Sequence, residues 1–341
     1  MREALALKYR PKTFADVVEQ SSTKIILEQQ LKSGEIKNAY LFCGGAGTGK
    51  TTCARIFANE INQHKGIPIE LDAASNNSVD DVREIIQQAK TASIDSEYKV
   101  FIMDEVHALS NSAWQAMLKI LEEPPKKSIF IMCTTDPQKI PKTILSRVQR
   151  FDFQRISQQG IVNRLAYVLS EENLGGDTTK NADKAMNAIE YIARLANGGM
   201  RDALTMLDKC LAYSDELTLD NVVKALGIAD YDLMMDFISA YIERDNATGL
   251  RVINDVYMQG LDLKQFMKSV TDFVLDIYKY CIGADFRYLN CPNTNTIQEF
   301  FDGLDITADS PMLESLIKLN NEIKWDTNPK ARIEAWFIIG G

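Results

Sequence analysis

One segment constrains this chain more than any other. Gly44-Gly45-Ala46-Gly47-Thr48-Gly49-Lys50-Thr51 follows the apolar run AYLFC and opens TTCARIFANEINQ. Ala54, Phe57, Ala58 and Ile61 recur there at helical spacing. The pattern is G-x-x-x-x-G-K-[ST], set between a strand and a helix. Glycines at these positions let successive backbone N–H groups curl inward around an anion, and the helix N-terminus adds the positive end of its dipole. Such a loop belongs to a parallel sheet and holds the phosphates of a nucleotide. Lys50 is placed to reach the β- and γ-phosphates, the Thr51 hydroxyl can ligate Mg²⁺, and Thr52 adjoins them on the first helical turn.

The flanking sequence supplies the rest of that sheet. IPIELDA reads as a second strand. SVDDVREIIQQAKTA (78–92) reads as an amphipathic helix capped by Ser78, with Val82, Ile85, Ile86 and Ala89 on one face. KVFIMDE (99–105) is an apolar strand that ends on two acids. SNSAWQAMLKILEEPP (110–125) is a helix that its prolines end, and SIFIMCTTD (128–136) is the last strand to stand out. This alternation predicts an α/β fold, a parallel sheet covered by helices on both faces. Ligands bind at the C-terminal ends of such strands, which is where Asp104 and Glu105 fall. Asp104 is placed to hold Mg²⁺, and Glu105 to accept a proton from an attacking water.

Beyond about residue 155 the apolar spacing becomes helical throughout. ISQQGIVNRLAYVLSEENL, DKAMNAIEYIARLANG and MRDALTMLDKCLAYS form one set, with the turn-rich GGDTTKNA between the first two. A second set begins near Tyr231. Residues 284–311, rich in Asn, Asp, Thr and Pro, read as a loop, and two helical segments close the 341 residues. Domains are therefore expected at 1–157, 158–226 and 227–341. The net charge is −9, but residues 1–150 carry 20 basic and 18 acidic side chains, against 18 and 29 in 151–341. The acidic total argues against a protein that coats DNA by bulk charge, so nucleic-acid contact is expected in the first half. No apolar run predicts a membrane span or a signal peptide. The six cysteines include no Cys-x-x-Cys pair and read as buried or free thiols. His64 and His107, the only histidines, read as structural or surface residues rather than metal ligands.

MDEVH, CTTDPQKIPKTILSRV, ANGGMRDALTMLDK, the N-terminal ALALKYRPKTFADVVEQ, IELDAAS and the late WDTNPKARIE together resemble the bacterial clamp-loader ATPases of the AAA+ superfamily. Within these they are most similar to the gamma/tau subunits of DNA polymerase III. The resemblance runs from Leu7 to about Glu334. It implies a AAA+ P-loop domain, a helical lid and a helical collar. It also implies ATP and Mg²⁺ as cofactors, with Arg10, Pro11, Val17 and Val18 beside the adenine. Thr135 takes the place of a first sensor of the γ-phosphate. Arg147, in Ser146-Arg147-Val148, matches the arginine that reaches the ATP of an adjacent subunit, although Val148 replaces the family's cysteine. Arg201 matches a second sensor on the lid.

The implied function is that of an ATP-driven motor subunit that opens a sliding clamp and loads it on primer–template DNA, in a pentameric ring with other subunits. Arg83, Lys90 and the helix start at Asn76–Ser78 are candidate phosphate contacts, and Trp114, Met117 and Leu118 a candidate clamp-facing stripe, at a spacing more often found in a core. The family's four-cysteine zinc module is absent from ANEINQHKG, so no zinc is expected. The short chain suggests a compact gamma-like subunit, cytoplasmic in a bacterial or phage-infected cell. Two other classes share parts of the pattern. A branch-migration helicase or other remodeller would lack the WDTNPKARIE segment. A non-hydrolysing clamp-loader scaffold would lack the complete phosphate loop.

Overall fold

The computed structural model describes residues 3–91, 93, 95–172, 178–227, 231–292, 294–304 and 311–340. They form two compact units, Met1–Glu171 with Ala196–Asp208, and Glu172–Leu195 with Lys209–Gly341.

The first unit is built on a five-stranded parallel sheet. Its strands are β1 (Ala39–Gly44), β2 (Ile69–Asp72), β3 (Lys99–Asp104), β4 (Ser128–Thr134) and β5 (Gln149–Phe153), in the order β2-β3-β4-β1-β5. Its helices are α1 (Leu5–Lys8), α2 (Ser21–Ser33), α3 (Lys50–Ile61), α4 (Val79–Ala89), α5 (Asn111–Glu122), α6 (Lys142–Leu145) and α7 (Gln158–Glu171). Successive strand residues point to opposite faces, and both faces are buried. Leu41, Phe101, Met103, Phe130 and Met132 meet Val82, Ile85 and Ala89 of α4 and Trp114 and Met117 of α5. Tyr40, Phe42, Ile102, Ile131 and Phe151 meet Leu27 of α2 and Ala54, Phe57 and Ile61 of α3. The expected two-faced sheet is therefore present. Trp114 and Met117 are 3% and 0% exposed. They serve the core, and the clamp-facing stripe suggested for them is corrected.

β5 is the strand that the sequence did not mark. Phe151 and Phe153 are buried while Arg150 and Asp152 face solvent, and QRFDF is too short and too charged to stand out as an apolar run. As an edge strand it needs only β1 for its pairing. The start of α4 follows the sequence closely. Ser78 Oγ accepts from Asp81 N at 3.2 Å, and Ser78 N donates to Asp81 Oδ2 at 3.0 Å, a reciprocal cap. Ser78→Ala is expected to cost about 1 kcal/mol, read as a lower urea midpoint at unchanged slope.

The second unit is helical in its described residues. It contains α8 (Thr178–Leu195), the end of α9 (Met200–Tyr213), α10 (Leu219–Leu226), α11 (Tyr231–Glu243), α12 (Asn246–Met258) and α13 (Leu263–Cys281). α14 (Asn295–Gly303), α15 (Met312–Ile323) and α16 (Pro329–Ile339) complete it. Phe237, Ile253, Val270, Ile277, Leu316 and Ile333 lie in its core. Of the turn-rich stretch 175–182, residues 175–177 lie outside the described residues, and Thr178 opens α8. The loop expected over 284–311 is corrected by α14, which buries Ile297 and Phe301 beneath a Thr294 cap. Its polar composition hid a short amphipathic helix. Residues 293 and 305–310 of that stretch lie outside the described residues. Ahead of α14 the chain is pinned by Asp276, 1% exposed. This carboxylate accepts from Asn290 N at 2.7 Å, Cys291 N at 2.8 Å and Lys279 Nζ at 3.0 Å.

Candidate active site

The loop between β1 and α3 takes the shape that its glycines permit. Gly47 has φ +69°, and a Cβ there would lie 3.0 Å from Gly199 Cα. Gly44 has φ +152°, with Phe153 O only 2.4 Å from where a Cβ would stand. Side chains are thus excluded on conformational and steric grounds together. Met200 N donates to Gly47 O at 3.0 Å, which ties the start of α9 to the loop and brings Arg201 to it. Gly47→Ala would push α9 and Arg201 away. An approximately tenfold loss of nucleotide affinity is expected, measurable by equilibrium titration.

Lys50 is 6% exposed and points back along its own loop, donating to Gly44 O at 2.9 Å and Gly45 O at 2.7 Å. Burial holds this ammonium below the ordinary lysine value, because leaving water penalises the charged form. An arriving phosphate offers charge in place of the two carbonyls. Thr51 Oγ1 donates to Asp104 Oδ2 at 2.7 Å. The end of β3 and the start of α3 therefore present a hydroxyl and a carboxylate oxygen side by side. Hard oxygen donors in such small number fit Mg²⁺, which keeps most of its water and takes further oxygens from phosphates.

Next to Asp104, Glu105 adopts φ +48°, rare for a residue with a side chain. Its N–H donates to Asp104 Oδ1 at 3.0 Å. Its Oε2 accepts from Thr135 Oγ1 at 2.8 Å and Thr135 N at 3.3 Å, at the end of β4. His107 Nδ1 stands 3.2 Å from the same oxygen. The sequence reading missed His107 as a neighbour of Glu105. The signal was its position two residues after the acid, on the short turn Val106–Ala108.

A cavity opens beside the loop. Arg10, Pro11, Val17 and Val18 line it together with Gly47, Thr48, Gly49, Lys50, Thr51, Thr52 and Arg201. Gly44, Gly45 and Ala46 form the preceding part of the loop outside that lining. Tyr9, Ile156, Arg164, Met200 and Leu204 also line it, and nothing in the sequence pattern marked them. The N-terminal arm is held in place by polar contacts. Gln20 Nε2 donates to Gln154 O at 2.7 Å and its Oε1 accepts from Gln154 N at 3.2 Å, as a strand would. Glu19 Oε2 accepts from Ser157 N at 3.1 Å at the head of α7, and Arg164 donates to Tyr9 O at 3.0 Å. Arg147 does not line this cavity. It pairs with Glu122 at 2.7 Å and donates to Thr143 O at 2.7 Å. The cysteines carry no chemistry here: burial pushes Cys43 up to about 11 and Cys53 to about 12, so their thiols stay protonated.

A phosphate loop, an acid-tipped strand and a threonine at the end of the neighbouring central strand, with a lid-domain match beyond the sheet, define the AAA+ class of ATPases. The Thermotoga maritima RuvB Holliday junction branch migration motor shares the fold at TM-score 0.52 over 74% of this chain and 86% of its own, with 19% identity. Residues 62–157 match the model for the DNA polymerase III delta subunit, and 160–216 that for the DNA polymerase III clamp loader subunit ATPase lid domain. Residues 217–338 match domain III of DNA polymerase III subunits gamma and tau. DNA polymerase III subunit tau of Bacillus subtilis is 35% identical over 356 residues, covering 97% of this chain and 62% of the relative. That of Escherichia coli is 35% identical over 282 residues, covering 76% and 43%. The chain thus spans less than two thirds of either relative. It belongs to the gamma/tau family of DNA polymerase III clamp-loader subunits.

Proposed function

We propose that this chain is a motor subunit of a sliding-clamp loader, hydrolysing ATP to place a clamp on primer–template DNA. The observation that carries this reading is the convergence at one loop of Lys50, the Thr51–Asp104 pair and the Glu105–Thr135 pair. In this reading the adenine lies against Arg10, Pro11, Val17 and Val18, with the phosphates along Gly44–Thr52. Lys50 and Arg201 stabilise the charge that develops on the phosphates. Thr51 and Asp104 hold Mg²⁺, which when bound neutralises phosphate charge. Thr135 and Glu105 orient the attacking water, and Glu105 takes its proton. Arg147 serves the ATP of the next subunit.

Three working parts follow, at 1–157, 158–226 and 227–341, supported by family-model matches that fall at 62–157, 160–216 and 217–338. The collar holds a pentameric ring, and the nucleotide state changes affinity for clamp and DNA, which is linkage between sites. The near-neutral first half, rather than the acidic remainder, faces the DNA phosphates. Arg83 is a weaker candidate contact than its exposure suggests, because it pairs with Asp80 at 2.9 Å. Lys90 caps the other end of α4. No helix among the described residues is long and apolar enough to cross a membrane. We place the protein in the bacterial cytoplasm, in an uninfected or phage-infected cell, with the replication machinery.

The test is ATP turnover with primed DNA and clamp, for the wild type and Lys50→Ala. Stimulation by both partners and its loss in the variant are expected. Absence of stimulation would refute the clamp-loader role, and unchanged turnover in Lys50→Ala would refute the site.

A further inference from the structure

We propose that His107 is the positioning residue for Glu105, holding one carboxylate oxygen so that the other receives the proton of the attacking water. The inference rests on the hydrolytic reading given above.

Glu105 sits in a left-handed backbone conformation that a side chain normally avoids. Something must hold the strained turn and the carboxylate that it carries. Two elements do so, and both act on the same oxygen. Thr135, at the end of β4, gives Oε2 its hydroxyl at 2.8 Å and its backbone N–H at 3.3 Å. His107, on the turn that follows β3, brings Nδ1 to 3.2 Å. Contacts from two directions on Oε2 fix the plane of the carboxylate. Both contacts fall on Oε2, so Oε1 is the oxygen turned to the water. In the step itself the water oxygen bonds to the γ-phosphorus, its proton passes to Oε1, and the bond to the β-phosphate oxygen breaks to leave ADP.

The same ring nitrogen also meets a buried hydroxyl. Thr134, 0% exposed, accepts from Asp136 N at 3.0 Å and stands 3.3 Å from Nδ1. The proposed contact requires the proton on Nδ1, since a lone pair there would be repelled by a carboxylate oxygen at 3.2 Å. The ring is 22% exposed, less than the glutamate it supports at 35%. An exposed ion pair would contribute little, but a half-buried ring nitrogen placed between a buried hydroxyl and the glutamate oxygen contributes through orientation.

The experiment compares the wild-type chain, His107→Leu and His107→Asn, assembled with clamp and primed DNA, by steady-state and single-turnover ATP hydrolysis and by nucleotide titration. Asn places an amide N–H near the position of Nδ1, whereas Leu fills the space without a donor. His107→Leu is expected to lower kcat about tenfold with nucleotide affinity within about twofold, and His107→Asn to recover most of the rate. A kcat for His107→Leu equal to or above that of the wild type overturns the inference. So does an equal loss in both variants, or a loss of nucleotide affinity in parallel with rate. Lys50→Ala is run alongside. If it hydrolyses like the wild type, the site reading fails; if it is inactive and His107→Leu is fully active, only the positioning role fails.

Discussion

Glu105→Gln is expected to slow ATP hydrolysis by about 10²–10⁴-fold while ATP still binds. Glutamine keeps an oxygen for the Thr135 hydroxyl at the site of the present 2.8 Å bond, so the turn after β3 has reason to persist. What it lacks is a group that can take a proton. Nucleotide affinity should change little, because the proposed site holds the phosphates with the loop at Gly44–Thr51 and with Lys50. Single-turnover hydrolysis beside equilibrium binding checks this. An unaltered rate would assign proton transfer to another group, and a parallel loss of binding would reduce Glu105 to a structural role.

Arg147→Ala is expected to lower hydrolysis by about 10³–10⁵-fold in an assembly whose subunits all carry it. The reason is where the side chain lies. Arg147 is outside the lining of its own chain's cavity and tied to Glu122 at 2.7 Å. That pair is partly exposed, at 34% and 51%, and such pairs contribute at most about 1 kcal/mol. The rate effect corresponds to about 4–7 kcal/mol of transition-state stabilisation. Release from Glu122 therefore costs little beside what the guanidinium gains at a neighbouring γ-phosphate. Mixed assemblies give the sharper test. Arg147→Ala subunits combined with Lys50→Ala subunits should regain hydrolysis, since each supplies what the other lacks at a shared site. No recovery in the mixture, or full activity of Arg147→Ala alone, would remove the role in trans.

The site was largely readable because its chemistry is local in the chain. Gly44–Thr51 is one loop, Asp104 and Glu105 are adjacent, and the segment from Arg10 to Val18 is one arm. What was not readable lies at long range. Tyr9, Arg164, Met200 and Leu204 reach the cavity from elements far apart in sequence, and each has an ordinary place in a helical pattern or an arm. His107 was read as structural because a histidine near two acids carries no periodicity. β5 and α14 escaped for a related reason. Each is short, and half of each is polar, so no window of apolar spacing marks it.

The sequence alone determined the anion-binding loop, since its glycines and Lys50 stand between an apolar run and a helical one. It determined the two-faced parallel sheet, since strands this apolar must be covered on both sides. It also located most of the net negative charge in residues 151–341, which leaves residues 1–150 near neutral. Tertiary structure decided the rest. It set Trp114 and Met117 in the core, where their spacing allowed either a core or a docking face. It left Arg147 outside the cavity that its own chain builds. It also brought Thr135 and His107 onto one oxygen of Glu105, because β4 lies beside β3 in the sheet and the turn after Asp104 bends back on itself. Those contacts depend on strand order and one left-handed residue, neither of which is encoded in local spacing.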